Sequence, residues 1–215
     1  MSNHDINEAR DRVCQLMDKT KVYVETDLRK MLDSECNSDE YSSGGLAVPI
    51  GLTCFAAMDL FGFLLGKSKK SVTEHNFEIF MGLFPEQGYE QYAKPLNEFY
   101  RNGLSHHFFP KGCGIKRGHP KDKILERGLD QEEKLLDYLN VDALANAVLG
   151  SLERIREELR QPNSVELIKN INKQLNHLKN GISKKLEHIT PSPTTQTTTS
   201  AVGSVTLPPS VLLGK

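Results

Sequence analysis

Residues 46–66 read LAVPIGLTCFAAMDLFGFLLG, and the way this stretch is housed decides the fold. Its 21 residues are apolar except for Pro49, Thr53 and Asp59, and a helix of that length would span a bilayer. Asp59 argues against a span. It sits near the middle, where a carboxylate costs about 2.5–3.5 kcal/mol on the insertion scale. Gly45, Gly51, Gly62 and Gly66 also shorten the strongly apolar part. Lys67, Lys69 and Lys70 just downstream are compatible with either reading. The segment is therefore read as the central helix of a soluble helical bundle, from about Val48 to Leu65, with no membrane expected.

Upstream, Ile6, Ala9, Val13, Leu16, Met17, Val24, Leu28, Met31 and Leu32 recur at helical spacing. They predict one long amphipathic helix ending near Ser34, followed by a polar loop over 35–45. Downstream, a turn over 67–71 leads to Thr73 as a helix cap before Phe77, Ile79, Phe80, Leu83 and Phe84, and Pro85 closes that element. Pro95 opens a further helix carrying Leu96, Phe99, Tyr100 and Leu104, which ends before Pro110.

Residues 111–130 break the pattern with four glycines, Pro120 and the basic residues Lys111, Lys116, Arg117, Lys121, Lys123 and Arg127. They read as a Gly-rich basic loop or small hairpin inserted beside the preceding helix. A helix over 132–160 follows, with Leu135, Leu139, Leu144, Val148, Leu152, Ile155 and Leu159 on its apolar face. Gln161-Pro162 stops it, Asn163 and Glu166 have capping-box spacing, and Ile168 to Ile189 forms a nearly heptad seam. These C-terminal helices should form an antiparallel hairpin able to take a protein partner. Past Thr190 the chain turns to Thr, Ser and Pro and reads as disordered. The expected organisation is one all-α bundle over 1–189 and a tail over 190–215.

Lys plus Arg is 27 against 28 for Asp plus Glu, so nucleic-acid binding would need a local patch. Cys14, Cys36, Cys54 and Cys113 contain no C-x-x-C pair, which argues against a zinc site and a dense disulfide framework. Cys113 with His119 would supply only two of the roughly four ligands a closed site needs. No metal and no cofactor are expected. The polar stretch 1–12 shows no secretory signal, so the cytoplasm is the expected compartment.

The chemistry-bearing stretch is Tyr100-Arg101-Asn102-Gly103-Leu104-Ser105-His106. An arginine stays charged and presents a fork of donors suited to phosphate, and a histidine can take and give a proton near neutrality. On an ideal helix Arg101 and His106 lie about 140° apart, whereas Asn102 and His106 share a face, so Asn102 could orient the imidazole. The same residues can be read structurally, as cations complementing the end of a helix. His107 is an alternative to His106. Asp59, costly in an apolar helix unless paired, has Arg101 as its candidate partner. Lys111, Lys116 and Arg117 are the candidate contacts to an RNA backbone.

This stretch resembles the signature of the HEPN superfamily, an Arg followed by a polar residue and then by His four to six residues after the Arg. The resemblance covers about 46–160 and centres on Arg101 to His106. It implies an all-α bundle that dimerises with the motifs facing each other, and in active members metal-independent cleavage of RNA. His106 would then be the general acid and base, Arg101 would bind the phosphate, and Asn102 would orient. Non-catalytic relatives bind nucleotides, RNA or protein, so a helical dimerisation or interaction module is the competing expectation.

Overall fold

The computed structural model describes residues 3–34, 46–67, 72–85, 88–107, 110–129 and 135–187. The chain divides into one unit over 1–179 and a second over 180–215, the latter represented in the described residues by the last turns of its final helix. The fold is mostly helical with a small three-stranded sheet. The polar loop over 35–45 and the tail over 190–215 lie outside the described residues, as does most of the turn over 67–71.

The apolar segment is helix α3, Ala47–Leu65, and it is the core of the first unit. Its length and composition would also let it cross a membrane. In this fold Ile50, Cys54, Met58, Phe61 and Leu64 are buried among other elements. Helix α4, Thr73–Met81, lies against it, with the Phe55 and Phe77 rings stacked at 5.7 Å. The last turn of α3 exposes carbonyls that no residue of the same helix can satisfy. Asn170 from the final helix donates to Leu64, Leu65 and Gly66, and Gln174 adds a bond to Gly66.

The N-terminal helix is interrupted. Helix α1, Asn3–Thr20, passes through a π-helical turn, Lys21–Glu25, into α2, Thr26–Asp33. Buried positions run Met17, Thr20, Glu25, Leu28, so one interval widens to five residues where the turn is wider. The buried Glu25 carboxylate accepts a bond from Arg156. Thr73 is not a cap. It is the first residue of α4, and its hydroxyl lies 3.4 Å from an Asp59 oxygen.

The largest departure from the expected all-α chain is the sheet, formed by β1 (Gly114–Lys116), β2 (Leu125–Leu129) and β3 (Leu135–Asn140) in the order β1-β3-β2. The loop or hairpin expected within 111–130 supplies only β1 and β2. β2 pairs antiparallel with β3, from the stretch expected to be helical, with Leu125 opposite Leu139, and β1 pairs parallel to β3 with Gly114 opposite Tyr138. The helix expected from 132 starts at Val141, as α7, Val141–Arg160. Asn140 caps it by accepting a bond from the Ala143 N–H at 3.2 Å. Helix α8, Val165–Glu187, begins after Ser164. The Asn163 and Glu166 box does not form, and the Ser164 hydroxyl bonds back to Leu159 at 3.0 Å.

Candidate functional site

The Arg-to-His stretch is carried by an irregular helical run. A 3₁₀ turn, Tyr89–Tyr92, leads through α5 (Ala93–Pro95) and a π-helical turn, Leu96–Arg101, into α6, Asn102–His107. Leu96, Tyr100 and Leu104 are buried and anchor the run. Phe99, expected on the same apolar face, is 42% exposed. The wider π-turn moves it out of the face that regular α-helical spacing assigns.

Arg101 lies at the end of that turn and, with Ser105 one turn later, lines a cleft of about 460 Å³ against α3. Asp59 enters the same cleft among Phe55, Leu60 and Phe63. The expected ion pair between Asp59 and Arg101 is not made. The Asp59 carboxylate accepts instead from the Asn76 amide at 2.7 Å and from Thr73. This satisfies a polar group in a largely apolar helix from the neighbouring element.

The Asn102 side-chain oxygen accepts from Arg101 Nη1 at 2.9 Å. Asn102 therefore orients the arginine rather than the imidazole, and Arg101 makes no ion pair with a described residue. His106 and His107 are both exposed on the last turn of α6, with ring centroids 6.4 Å apart. His106 does not line the Arg101 cleft. Within one chain the structure brings together Arg101, Asn102, Ser105 and Asp59, and sets His106 outside them.

The basic residues divide by environment. Arg117 is a structural strut rather than a surface cation. Its Nε donates to both oxygens of Asp142 at 2.9 and 2.7 Å, and its remaining donors reach the Met31 and Leu32 carbonyls at the end of α2. Lys116 holds Glu126 at 2.6 Å and lies 5.7 Å from the centre of the Tyr138 ring. That hydrogen bond keeps the Glu126 carboxyl below its ordinary pKa. Lys111 is exposed and lines a second, larger cleft of about 970 Å³ with Tyr92, Phe99, Lys123 and Arg127.

Between these features lies Tyr100, whose hydroxyl donates to the Asp137 carbonyl at 3.0 Å. Burial raises its pKa, with a further rise from Cys113. Burial likewise raises the Cys113 thiol, against the lowering effect of its bond with Tyr100. Neither group is poised to ionise near neutrality. Among the described residues, no three His, Cys, Asp or Glu side chains are grouped as a metal site.

Sequence reasoning missed Tyr92, and it named Lys123 only as one of the basic residues of the 111–130 loop. Nothing in their local pattern signals a cleft, because its far wall is the sheet that the pattern hides. Compared with family models, with curated proteins and with solved structures, the chain finds no match.

Proposed function

We propose that this chain is a HEPN-like RNA-cleaving or RNA-binding protein of a stress or defence system, working in the cytoplasm as a homodimer and needing no metal. The observation that carries the reading is the state of Arg101. Its guanidinium is steered by the neutral oxygen of Asn102 and has no carboxylate partner among the described residues, so its charge is available to an anion. The exposed His106 is open to a substrate arriving from outside.

In this reading a ribose 2′-hydroxyl gives its proton to one His106 and attacks the adjacent phosphorus. The bond to the leaving 5′-oxygen breaks, and that oxygen takes a proton from a second imidazole. Arg101 stabilises the charge that develops on the phosphoryl oxygens, and the products are a cyclic phosphate and a 5′-hydroxyl. A single chain supplies one His106, so a second copy related by a two-fold axis supplies the other. His107 is the substitute if its neighbour is not the reacting group.

The test is cleavage of single-stranded RNA in EDTA by wild type, Arg101→Ala and His106→Ala, with sedimentation to fix the oligomeric state. Loss of cleavage in both variants supports the reading, and full activity of His106→Ala removes its assigned role. A second reading, a non-catalytic helical interaction module, is favoured by the position of His106 outside the Arg101 cleft. It predicts no cleavage by any dimeric preparation.

A further inference from the structure

The larger cleft, about 970 Å³, is walled by the helical run carrying Tyr92 and Phe99 and by strands of the sheet. Its volume suits a small-ligand site, for which about 300–1,000 Å³ is usual. Hydrogen bonds fix the two walls to each other. The Lys111 N–H donates to the Phe99 carbonyl at 3.0 Å, and the Tyr100 hydroxyl donates to the Asp137 carbonyl at 3.0 Å.

Two chemistries meet there. Tyr92 and Phe99 keep 38% and 42% of their surface exposed, offering aromatic faces to an occupant. The charges are unequal. Glu126 is held by Lys116 at 2.6 Å and Asp137 by Arg127 at 2.9 Å. Both carboxylates on the cleft wall are thus matched by a cation, whereas Lys111 and Lys123 make no ion pair with a described residue. Among the described residues, the cleft is left with two positive charges that no carboxylate pairs, beside two exposed rings.

We propose that this cleft binds a nucleotide unit, with its base against Tyr92 or Phe99 and its phosphate held by Lys111 and Lys123. A planar base joined to a phosphate uses both chemistries at once. An acidic peptide would use the lysines and leave the rings bare, and a neutral aromatic compound would do the reverse. The cleft shares no lining residue with the Arg101 cleft, so the proposal goes beyond catalysis at His106 and does not depend on it. A free mononucleotide and one nucleotide of a single-stranded RNA present the same groups.

The experiment titrates the full chain with a fluorescent adenosine diphosphate and with an end-labelled single-stranded RNA, followed by anisotropy. Wild type binds at least one probe. The double variant Lys111→Gln/Lys123→Gln weakens binding by about tenfold or more and flattens its salt dependence. Phe99→Leu and Tyr92→Leu weaken the nucleotide probe while leaving competition by inorganic pyrophosphate unchanged. Both probes are also titrated in a His106→Ala background, so that cleavage of the RNA cannot be mistaken for loss of binding and the result stands whether or not the chain cleaves. Equal affinity for the two probes assigns the free nucleotide, and a tighter, more salt-sensitive RNA complex assigns the strand. No binding of either probe at about 1 mM by folded wild type overturns the proposal. Unchanged binding in the lysine variant, with circular dichroism showing both proteins folded, overturns it as well.

Discussion

Gly62 of α3 lies so close to α4 that a Cβ at this position would sit 1.9 Å from the carbonyl oxygen of Asn76. One turn earlier on α3, Asp59 accepts the Asn76 side-chain amide at 2.7 Å. The two contacts make Asn76 the point at which α4 is fixed to the core helix, and with it the wall that holds the Asp59 carboxylate in the Arg101 cleft.

Gly62→Ala should therefore destabilise the fold, because the atom in the way is backbone and cannot swing aside. Forcing the helices apart costs about 1–3 kcal/mol, as overpacking does elsewhere. Gly150→Ala is the control. It lies in α7 with nothing within 4 Å of a new Cβ, and it should be neutral or stabilising by up to about 1 kcal/mol through helix propensity. Urea denaturation of the two variants reads the difference. Equal midpoints would mean that α3 and α4 are not tightly apposed.

The core helix is legible in the sequence because residues 47–65 are apolar on every side, whatever their partners. The strand β3 is not. Leu135, Leu136 and Leu139 are good helix formers and continue the apolar spacing of α7. Their strand state comes from pairing with β1 and β2, including the contact of Gly114 with Tyr138. A Cβ at Gly114 would meet the Tyr138 ring at 2.2 Å, a constraint between distant residues that local periodicity does not carry. The π-turns hide in the same way. Each inserts one residue into a helical pattern, and Phe99 and Arg101 change face without any change in composition. The motif residues are legible as chemistry, but the bond from Arg101 to Asn102 depends on that local twist.

Arg117 should matter for stability and not for RNA. Its side chain is 11% exposed and that of Asp142 8%, and the guanidinium also satisfies two carbonyls at the end of α2. Arg117→Ala leaves Asp142 buried without its cation, a loss that typically costs about 3–5 kcal/mol. Lys116→Ala, at the last residue of β1 and more exposed, should cost less than about 1 kcal/mol. Chemical denaturation of both variants checks the contrast. A mild Arg117→Ala phenotype with weakened RNA binding would return this residue to the surface role its sequence suggests.

The sheet should respond to pH from both sides. Lys116 lowers the pKa of Glu126 and Arg127 lowers that of Asp137, in each case chiefly through a hydrogen bond to the carboxylate. A depressed folded pKa gives stability that is present above the ordinary values, 4.5 and 3.8, and is lost as pH falls below them toward the folded values. Tyr100 and Cys54 act in the opposite sense. Burial raises both, so the unfolded chain ionises first, and stability falls once pH climbs past the ordinary values of 10.0 and 9.0. Thermal melts across the pH range read both limbs. Glu126→Gln should flatten the acid limb, and Tyr100→Phe should flatten the alkaline one after allowance for its lost hydrogen bond.

Asn102 separates the catalytic reading from the structural one. Its oxygen accepts from Arg101 at 2.9 Å, a neutral support that aims the guanidinium without cancelling its charge. If Arg101 binds phosphate, Asn102→Ala should lower the rate of RNA cleavage by about tenfold, the effect of a misaligned catalytic group. Asn102→Asp should be worse. A carboxylate at that position pairs with the guanidinium and competes directly with phosphate for it. The same pair would stabilise the helix, so the melting temperature should hold or rise while activity falls. A chain that cleaves RNA without using Arg101 on the phosphate would give the reverse outcome, with Asn102→Asp fully active or more active than Asn102→Ala, and a non-catalytic chain would show no cleavage in any of them. Measuring cleavage and melting temperature on both variants distinguishes these outcomes.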